Sequence, residues 1–307
     1  MKKQLLTTTA AGGLAALMAV PAAAQDAEFG FDGFARMGAT YDDTSEEFAM
    51  DNRFQLDASF SVVADAGLTF GGKVRMRADE ESTGVFNAPV ISASTGGLTL
   101  SVGNIAGVIF NTPSSFVGTG LTGNGSSGTA VYFQADGGQS VTPVEYSSTG
   151  TGQDDGVQLD YAMSGVSVSV MNSDDSSGVS FAYSQGGVSI GAAYQSDDVA
   201  GGTDDTLTVF GASYTIDAVT VGAAYAIADV GATAGDATKF SINGSYAFND
   251  ATSVSAFFAS EDNGVNDGES YGLSFSRAIG GGVTAVAGWE QNAAETNFIS
   301  AGVTMNF

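Results

Sequence analysis

The sequence predicts an all-β fold, a transmembrane antiparallel β-barrel of sixteen strands, or eighteen if one long connection holds an extra hairpin. Three observations predict it. Apolar and polar residues alternate with period two along most of the chain, as they do when successive strand side chains point to opposite faces. The links between alternating segments are by turns short and long, which gives a sheet one trim end and one decorated end. Mean hydropathy is positive, +0.11, yet beyond the N-terminus no stretch approaches the roughly 18 uncharged apolar residues of a spanning helix.

The first element is a segment to set apart. Met1-Lys2-Lys3 is basic, Leu5 to Val20 is apolar or small, and Pro21-Ala22-Ala23-Ala24-Gln25 offers an A-x-A cleavage site. That is the layout of a secretory signal peptide over 1–24. A membrane anchor would not interrupt its apolar run with Gly12, Gly13 and three threonines. Residues 25–307 show no break in the alternation and form one domain.

In "RFQLDASFSV", Phe54, Leu56, Ala58, Phe60 and Val62 share one face, and Arg53, Gln55, Asp57, Ser59 and Ser61 the other. The next strand puts Leu68, Phe70, Gly72, Val74 and Met76 opposite Thr69, Gly71, Lys73, Arg75 and Arg77. Ala64-Asp65-Ala66-Gly67 joins the two as a hairpin. The pattern resumes at Val157, Leu159 and Tyr161, and continues through Val166, Val168 and Val170. Further apolar faces follow at Phe181 and Tyr183, Val188 and Ile190, Val219 and Val221, Phe240 and Ile242, and Leu273 and Phe275. The last strand carries Ile299, Ala301, Val303, Met305 and Phe307 on one face. Short links such as Ser164-Gly165 and Asn249-Asp250 take turns with long acidic ones such as "SDDVAGGTDD" and "SEDNGVNDG". A soluble sandwich would turn a charged face outward, but here the polar face is small and weakly charged. Sixteen strands result if 104–155 is one connection; an extra hairpin formed by 129–135 and 141–148 would make eighteen. Both counts are even, as a bacterial barrel requires.

Composition narrows the function. There is no histidine and no cysteine, which removes the commonest general base, the Ser-His-Asp arrangement and the commonest zinc ligand. Nine basic residues against 34 acidic ones give a formal charge of −25, the wrong sign for nucleic acid. An ordinary exported enzyme is disfavoured.

Against that acidity, Lys73, Arg75 and Arg77 stand at every second position of "GGKVRMRADE". A charge on the lipid face costs about 2–4 kcal/mol near the bilayer midplane, so all three face the lumen. They form a ladder with rungs about 6.5–7 Å apart. Arg53 is on the lumen face of the neighbouring strand, and Arg36 is expected on that of the first. Such a wall screens solutes by charge. Salt bridges to Asp57 and Asp32 would instead brace the wall, and both roles can hold at once.

"GFARMGATYDD", "LTFGGKVRMRADE", "LTLSVGN" and the terminal "AGVTMNF" resemble the general diffusion porins of Gram-negative outer membranes, in their alpha-proteobacterial branch. The resemblance spans Gly33 to Phe307, by strand rhythm more than motif in the middle. It implies a sixteen-stranded homotrimeric channel, passive and without cofactor, for small hydrophilic solutes and ions. It also implies that 104–155 is a third loop folded into the lumen, with Glu145 facing Lys73, Arg75 and Arg77 across a constriction. The family's loop usually carries more acid; here no charge falls between Asn104 and Ala135. Gly302, Met305 and Phe307 resemble the signal read by the barrel-assembly machinery. Small lipid-face residues (Ala58, Gly72, Gly244) would let barrel walls pack closely.

The loop acids suggest another ligand. Asp42, Asp43, Glu46, Glu47, Asp197, Asp198, Asp204 and Asp205 are candidate Ca²⁺ ligands, since Ca²⁺ takes clustered carboxylates. The ion would bridge loops to one another or to lipopolysaccharide, although no pair has the spacing of a dedicated calcium loop. The runner-up from another class is an exported calcium-dependent adhesin or solenoid. It would need a G-G-x-G-x-D repeat, and the sequence has none.

Overall fold

A computed structural model describes residues 27–64, 67–80, 82–121, 128–133, 141–150, 155–199, 203–230, 236–262 and 267–307. The expected signal peptide lies outside them. The described residues form one antiparallel sheet of seventeen strand segments. In chain order these begin with β1 (Glu28–Asp42), β2 (Glu47–Val63), β3 (Thr69–Asp79), β4 (Ser82–Phe86), β5 (Val90–Thr95) and β6 (Leu98–Gly103). After a long connection come β7 (Gly156–Met163), β8 (Val166–Asn172), β9 (Ser176–Gln185), β10 (Val188–Asp197), β11 (Asp205–Ile216) and β12 (Val219–Asp229). The last five are β13 (Asp236–Asn249), β14 (Thr252–Asp262), β15 (Asp267–Gly280), β16 (Val283–Gln291) and β17 (Asn297–Asn306).

Strands that follow one another in sequence pair, apart from β4 and β5, and β1 pairs with both β2 and β17, so the sheet closes. β4 and β5 both pair with β3. They are one stave interrupted at 87–89, and the barrel has sixteen staves. Eighteen is set aside: the described parts of the two candidate hairpin pieces, 129–133 and 141–148, contain no strand. Their apolar residues Val131, Val141 and Val144 are buried, packed within the barrel rather than turned to lipid.

Local chemistry explains the trim end. Ser164 and Gly165 both take positive φ, 53° and 83°, the two-residue turn whose twist suits a hairpin. Beside such turns, tyrosines at 161, 183, 214 and 246 pair with Leu98, Val166, Val188 and Val219. Tyr194, Tyr225, Tyr271 and Trp289 sit nearer the other end. Two aromatic belts thus flank an apolar band on which Phe181 and Phe210 are about half exposed (47% and 49%). In water that exposure would be costly; against lipid it is the stable arrangement.

The connection after β6 turns inward and runs along the inner wall. Gly107 N–H donates to Gln158 on β7 (3.0 Å), and Asn111 Nδ2 donates to Ser169 on β8 (2.9 Å) and Ser180 on β9 (3.2 Å). Pro113 then crosses Gly191 and Gly211, and Ser114 crosses Gly222. Gly120 lies against Gly288, and its N–H donates to Ser274 (3.2 Å). Leu121 N–H donates to Ser300 on β17 (2.9 Å), and its side chain rests on Gly302 of β17 and Gly38 of β1. The wall carries inward-facing glycines along this route because a Cβ there would occupy the loop's space. At Gly211 it would overlap the Pro113 carbonyl oxygen.

This arrangement departs from the expected polar lumen face. Under the loop the inner wall is apolar: Ala193, Leu207, Val209, Ala224, Ala226 and Ala228 are buried against Ile109, Ala130, Val131 and Val141. The loop's apolar residues are kept from the water of the barrel by packing on this apolar wall. Burying a side chain such as Ile109 contributes about 1.5–3 kcal/mol.

Replacing Gly211 by Val tests the fit. The added atoms push Pro113 off the wall at a cost of about 1–3 kcal/mol. The temperature at which the folded barrel loses its compact electrophoretic mobility should fall, and single-channel conductance should drop as the loop moves into the lumen.

Candidate pore constriction

The stretch from Ile105 to Leu121 runs along the inner faces from β7 round to β17 and reaches β1 at Gly38. The wall of β1 to β3 carries the cations. Alternation places Lys73, Arg75 and Arg77 of β3 on the lumen face with Arg53 of β2 and Arg36 of β1. In register, Arg36 lies opposite Arg53, Arg53 opposite Asp79, and Asp57 opposite Arg75.

Carboxylates of the same wall hold most of these cations. Arg75 donates twice to Asp57, from Nε at 2.6 Å and Nη2 at 2.8 Å, the geometry that fixes a guanidinium most firmly. Lys73 Nζ lies 3.7 Å from the same carboxylate. Arg77 pairs with Asp79 at 2.9 Å. Arg36 pairs with Asp51 at 2.7 Å, so Asp51 and not Asp32 is its partner. Arg53 Nε is buried without a hydrogen bond. Five cations thus stand among three carboxylates in direct contact, and Asp32, opposite Asp57, shares the same face. Lys73 is its most open member, with 37% of its side chain exposed against 18% for Arg75 and 21% for Arg77.

The loop returns to this wall at the interrupted stave. Asn87 replaces a ladder carbonyl, accepting the Arg75 N–H on Oδ1 (2.7 Å) while its own N–H donates to Arg75 O (2.9 Å). Its Nδ2 donates to Ser147 O at 2.6 Å, and Asn104 Nδ2 donates to the same oxygen at 2.9 Å. Ser147 N–H donates back to Asn104 Oδ1 (2.9 Å). The residue so delivered to the cations is Tyr146: Lys73 Nζ lies 4.4 Å from its ring centre and Arg75 Cζ 5.2 Å. Glu145, next in the chain, is exposed and accepts from the Tyr132 hydroxyl at 3.4 Å. Burial, and then the Glu145 carboxylate, pushes that hydroxyl up to about 12, so it remains a donor at physiological pH.

A second charged group lies behind the loop. Lys239 of β13, fully buried, pairs with Glu261 at 2.9 Å and donates to the Tyr132 carbonyl at 2.5 Å. Glu290, 2% exposed, accepts the Thr119 hydroxyl. Sequence reasoning missed Lys239, Glu261, Glu290, Asn87 and Tyr146. The parity of β13 carried a signal, since Phe240 and Ile242 face lipid and their neighbour Lys239 must face inward.

The loop acids are elsewhere. Asp42 accepts the Thr44 N–H in its own turn (2.7 Å). Asp43 accepts the Asn297 N–H (2.8 Å) and Nδ2 (2.7 Å), which hold its carboxyl below the usual range. Gln195 Nε2 donates to Asp197 (2.9 Å), and Asp198 N–H donates to Asp175 O (2.7 Å). Glu46, Glu47, Asp204 and Asp205 lie in or beside the same long links. Among the described residues no three carboxylates converge as a metal site would require. Gly302 lies on the lumen side under Leu121, Met305 faces outward, and Phe307 covers Gly33.

The profile of a family described as "Gram-negative porin" matches residues 8–302. A curated relative, the "Porin" of Fuscovulum blasticum, is 28% identical over 304 residues, covering 91% of this chain and all of its own length. A triple mutant of the Rhodopseudomonas blastica porin superposes with a TM-score of 0.76 at 25% identity. A structure described under asymmetric conductivity of engineered proteins gives 0.78 at 26%. Each of these two alignments covers 91% of this chain and all of the solved one.

Converting Lys73, Arg75 and Arg77 together to Ala would remove three positive charges from this wall and take from Asp57 its ion pairs with Lys73 and Arg75. Charge pairs 4 Å apart interact by about 1 kcal/mol in water and about 4 kcal/mol at an effective dielectric of 20. The cation-to-anion permeability ratio, read as a reversal potential in a salt gradient, should therefore rise at least severalfold, and conductance should increase. An unchanged reversal potential in the folded variant would make the ladder a brace alone.

Proposed function

The chain belongs to the Gram-negative porin family, a passive diffusion channel of the outer membrane, and we propose that it works as a weakly cation-preferring homotrimer for small hydrophilic solutes. The observation that carries this is a closed barrel narrowed from one side by its own loop, with the opposite wall charged and open to water. The ladder favours anions. The formal charge of −25, much of it in the long links, concentrates cations at the mouth within a Debye length of about 10 Å at 0.1 M salt. At low salt the mouth dominates and the ladder moderates the preference. With a closed barrel and a porin family, the calcium-dependent adhesin has no supporting observation.

Small residues on the outer face, Ala58 and Gly72 on adjacent strands and Gly244 on β13, support close packing of barrel walls. The outward aromatic belts fit a lipid and lipopolysaccharide environment. Purified protein in a planar bilayer should show stepwise, ohmic single-channel currents, and light scattering in detergent should give about three chains per particle. A folded barrel that passes no current would overturn the channel. A clean monomer would remove only the trimer.

The last residue supports a role in assembly. Gly33 N–H donates to Phe307 O (2.6 Å) and Phe307 N–H to Gly33 O (3.0 Å) across the β1–β17 joint, and the Phe307 ring lies 6.0 Å from that of Phe54. Deleting Phe307 should cut the amount reaching the outer membrane, with the protein degraded in the periplasm, while barrel refolded in vitro still conducts. Normal outer-membrane levels would refute the assembly role.

A further inference from the structure

We propose that Tyr146 is a specificity-determining residue of this channel, setting its ion selectivity by covering two ladder cations with the face of its ring. The inference rests on the channel reading above. Three observations carry it. The first is placement: the ring faces Lys73 Nζ at 4.4 Å and Arg75 Cζ at 5.2 Å, both within the roughly 6 Å over which an aromatic face attracts a cation.

The second is what the tyrosine does not do. Its hydroxyl is buried and has no hydrogen-bond partner among the described residues, although burying a hydroxyl unpaired has a cost. The position therefore uses the ring and tolerates the oxygen.

The third is how firmly the ring is held. Asn87 and Asn104 both donate to Ser147 O, and Asn87 also bonds both main-chain groups of Arg75. The interruption of the fourth stave thus locks the residue after Tyr146 to the same strand position whose side chain Tyr146 covers.

The two cations need the ring to different degrees. Arg75 is already satisfied by two hydrogen bonds to Asp57. Lys73 has a single, longer approach of 3.7 Å to that carboxylate and is 37% exposed, so the ring face at 4.4 Å is a larger share of what restrains it. The ring's negative face offsets part of the ammonium charge and holds it against the wall. Without the ring, more positive potential reaches permeating ions.

The test uses the full-length channel in a planar bilayer with a tenfold KCl gradient. Tyr146→Leu keeps apolar bulk without the ring face, and its reversal potential should move toward anions. The expected change is roughly two- to fivefold in permeability ratio, which corresponds to about 0.5–1 kcal/mol. Tyr146→Phe should keep the wild-type value, because the hydroxyl has no partner among the described residues. In a Lys73→Gln background the Tyr146→Leu shift should shrink, which mere displacement of the loop would not produce. An equal shift in both backgrounds, or none in either, overturns the proposal, and so does a Phe variant that behaves like Leu. If Tyr146→Leu fails to fold, Tyr146→Trp provides the reading, since the stronger ring face should move selectivity toward cations. Wild-type protein that carries no current would refute the channel itself, a result distinct from all of these.

Discussion

In hydrocarbon no water is present to hydrogen-bond an exposed peptide group, and each unsatisfied one costs several kcal/mol. Closure of the sheet answers that demand, and everything else in the structure depends on it. β1 and β17 meet over nine paired positions, from Phe34 opposite Asn306 to Asp42 opposite Phe298. Once the ladder is closed, side-chain parity is fixed round the whole circumference. Phe181, Phe210 and Leu273 are outside for the same reason that Lys73, Glu290 and Lys239 are inside.

Closure creates a second demand. A sixteen-stave barrel is too wide to fill with its own side chains, so the chain supplies a loop to narrow it. The loop divides the interior into two materials. Between it and β10–β13 lies a small apolar core, flanked by the buried Lys239–Glu261 pair and by Glu290 bonded to Thr119. On the other side lies the wet β1–β3 wall, with cations and carboxylates in alternation. Charge facing the lumen is concentrated in the second region and apolar packing in the first.

How much of this was legible in the sequence follows from the range of the interactions. The lipid face was legible because parity is local: Phe54 to Val62 shows its own alternation. The ladder at 73, 75 and 77 could be placed in the lumen by the cost of charge in lipid alone. The apolar seat was not legible. In "TLTVFGAS" Leu207 and Val209 face inward and Phe210 outward, so alternation fails locally, and only the loop explains why. Outside strands parity gives no orientation. Glu145 and Tyr146 are therefore indistinguishable in direction by sequence, where charge alone singles out Glu145; the ring of Tyr146 is what lies over Lys73 and Arg75. Pairings such as Asn87 with Ser147 join residues sixty positions apart and leave no periodic trace.

Leu121 lies over Gly38 and Gly302, one on each side of the joint between the first and last strands. Its N–H is anchored to Ser300 on one of them. The inserted loop thus acts as an internal splint across the only place where the sheet is joined end to end. Mechanical strength at that joint does not come from the ladder bonds alone. Peeling β1 from β17 also requires lifting Leu121 from its glycine bed. Pore narrowing and resistance to unzipping reside in one segment, so a loop shortened to widen the passage would also weaken the hoop.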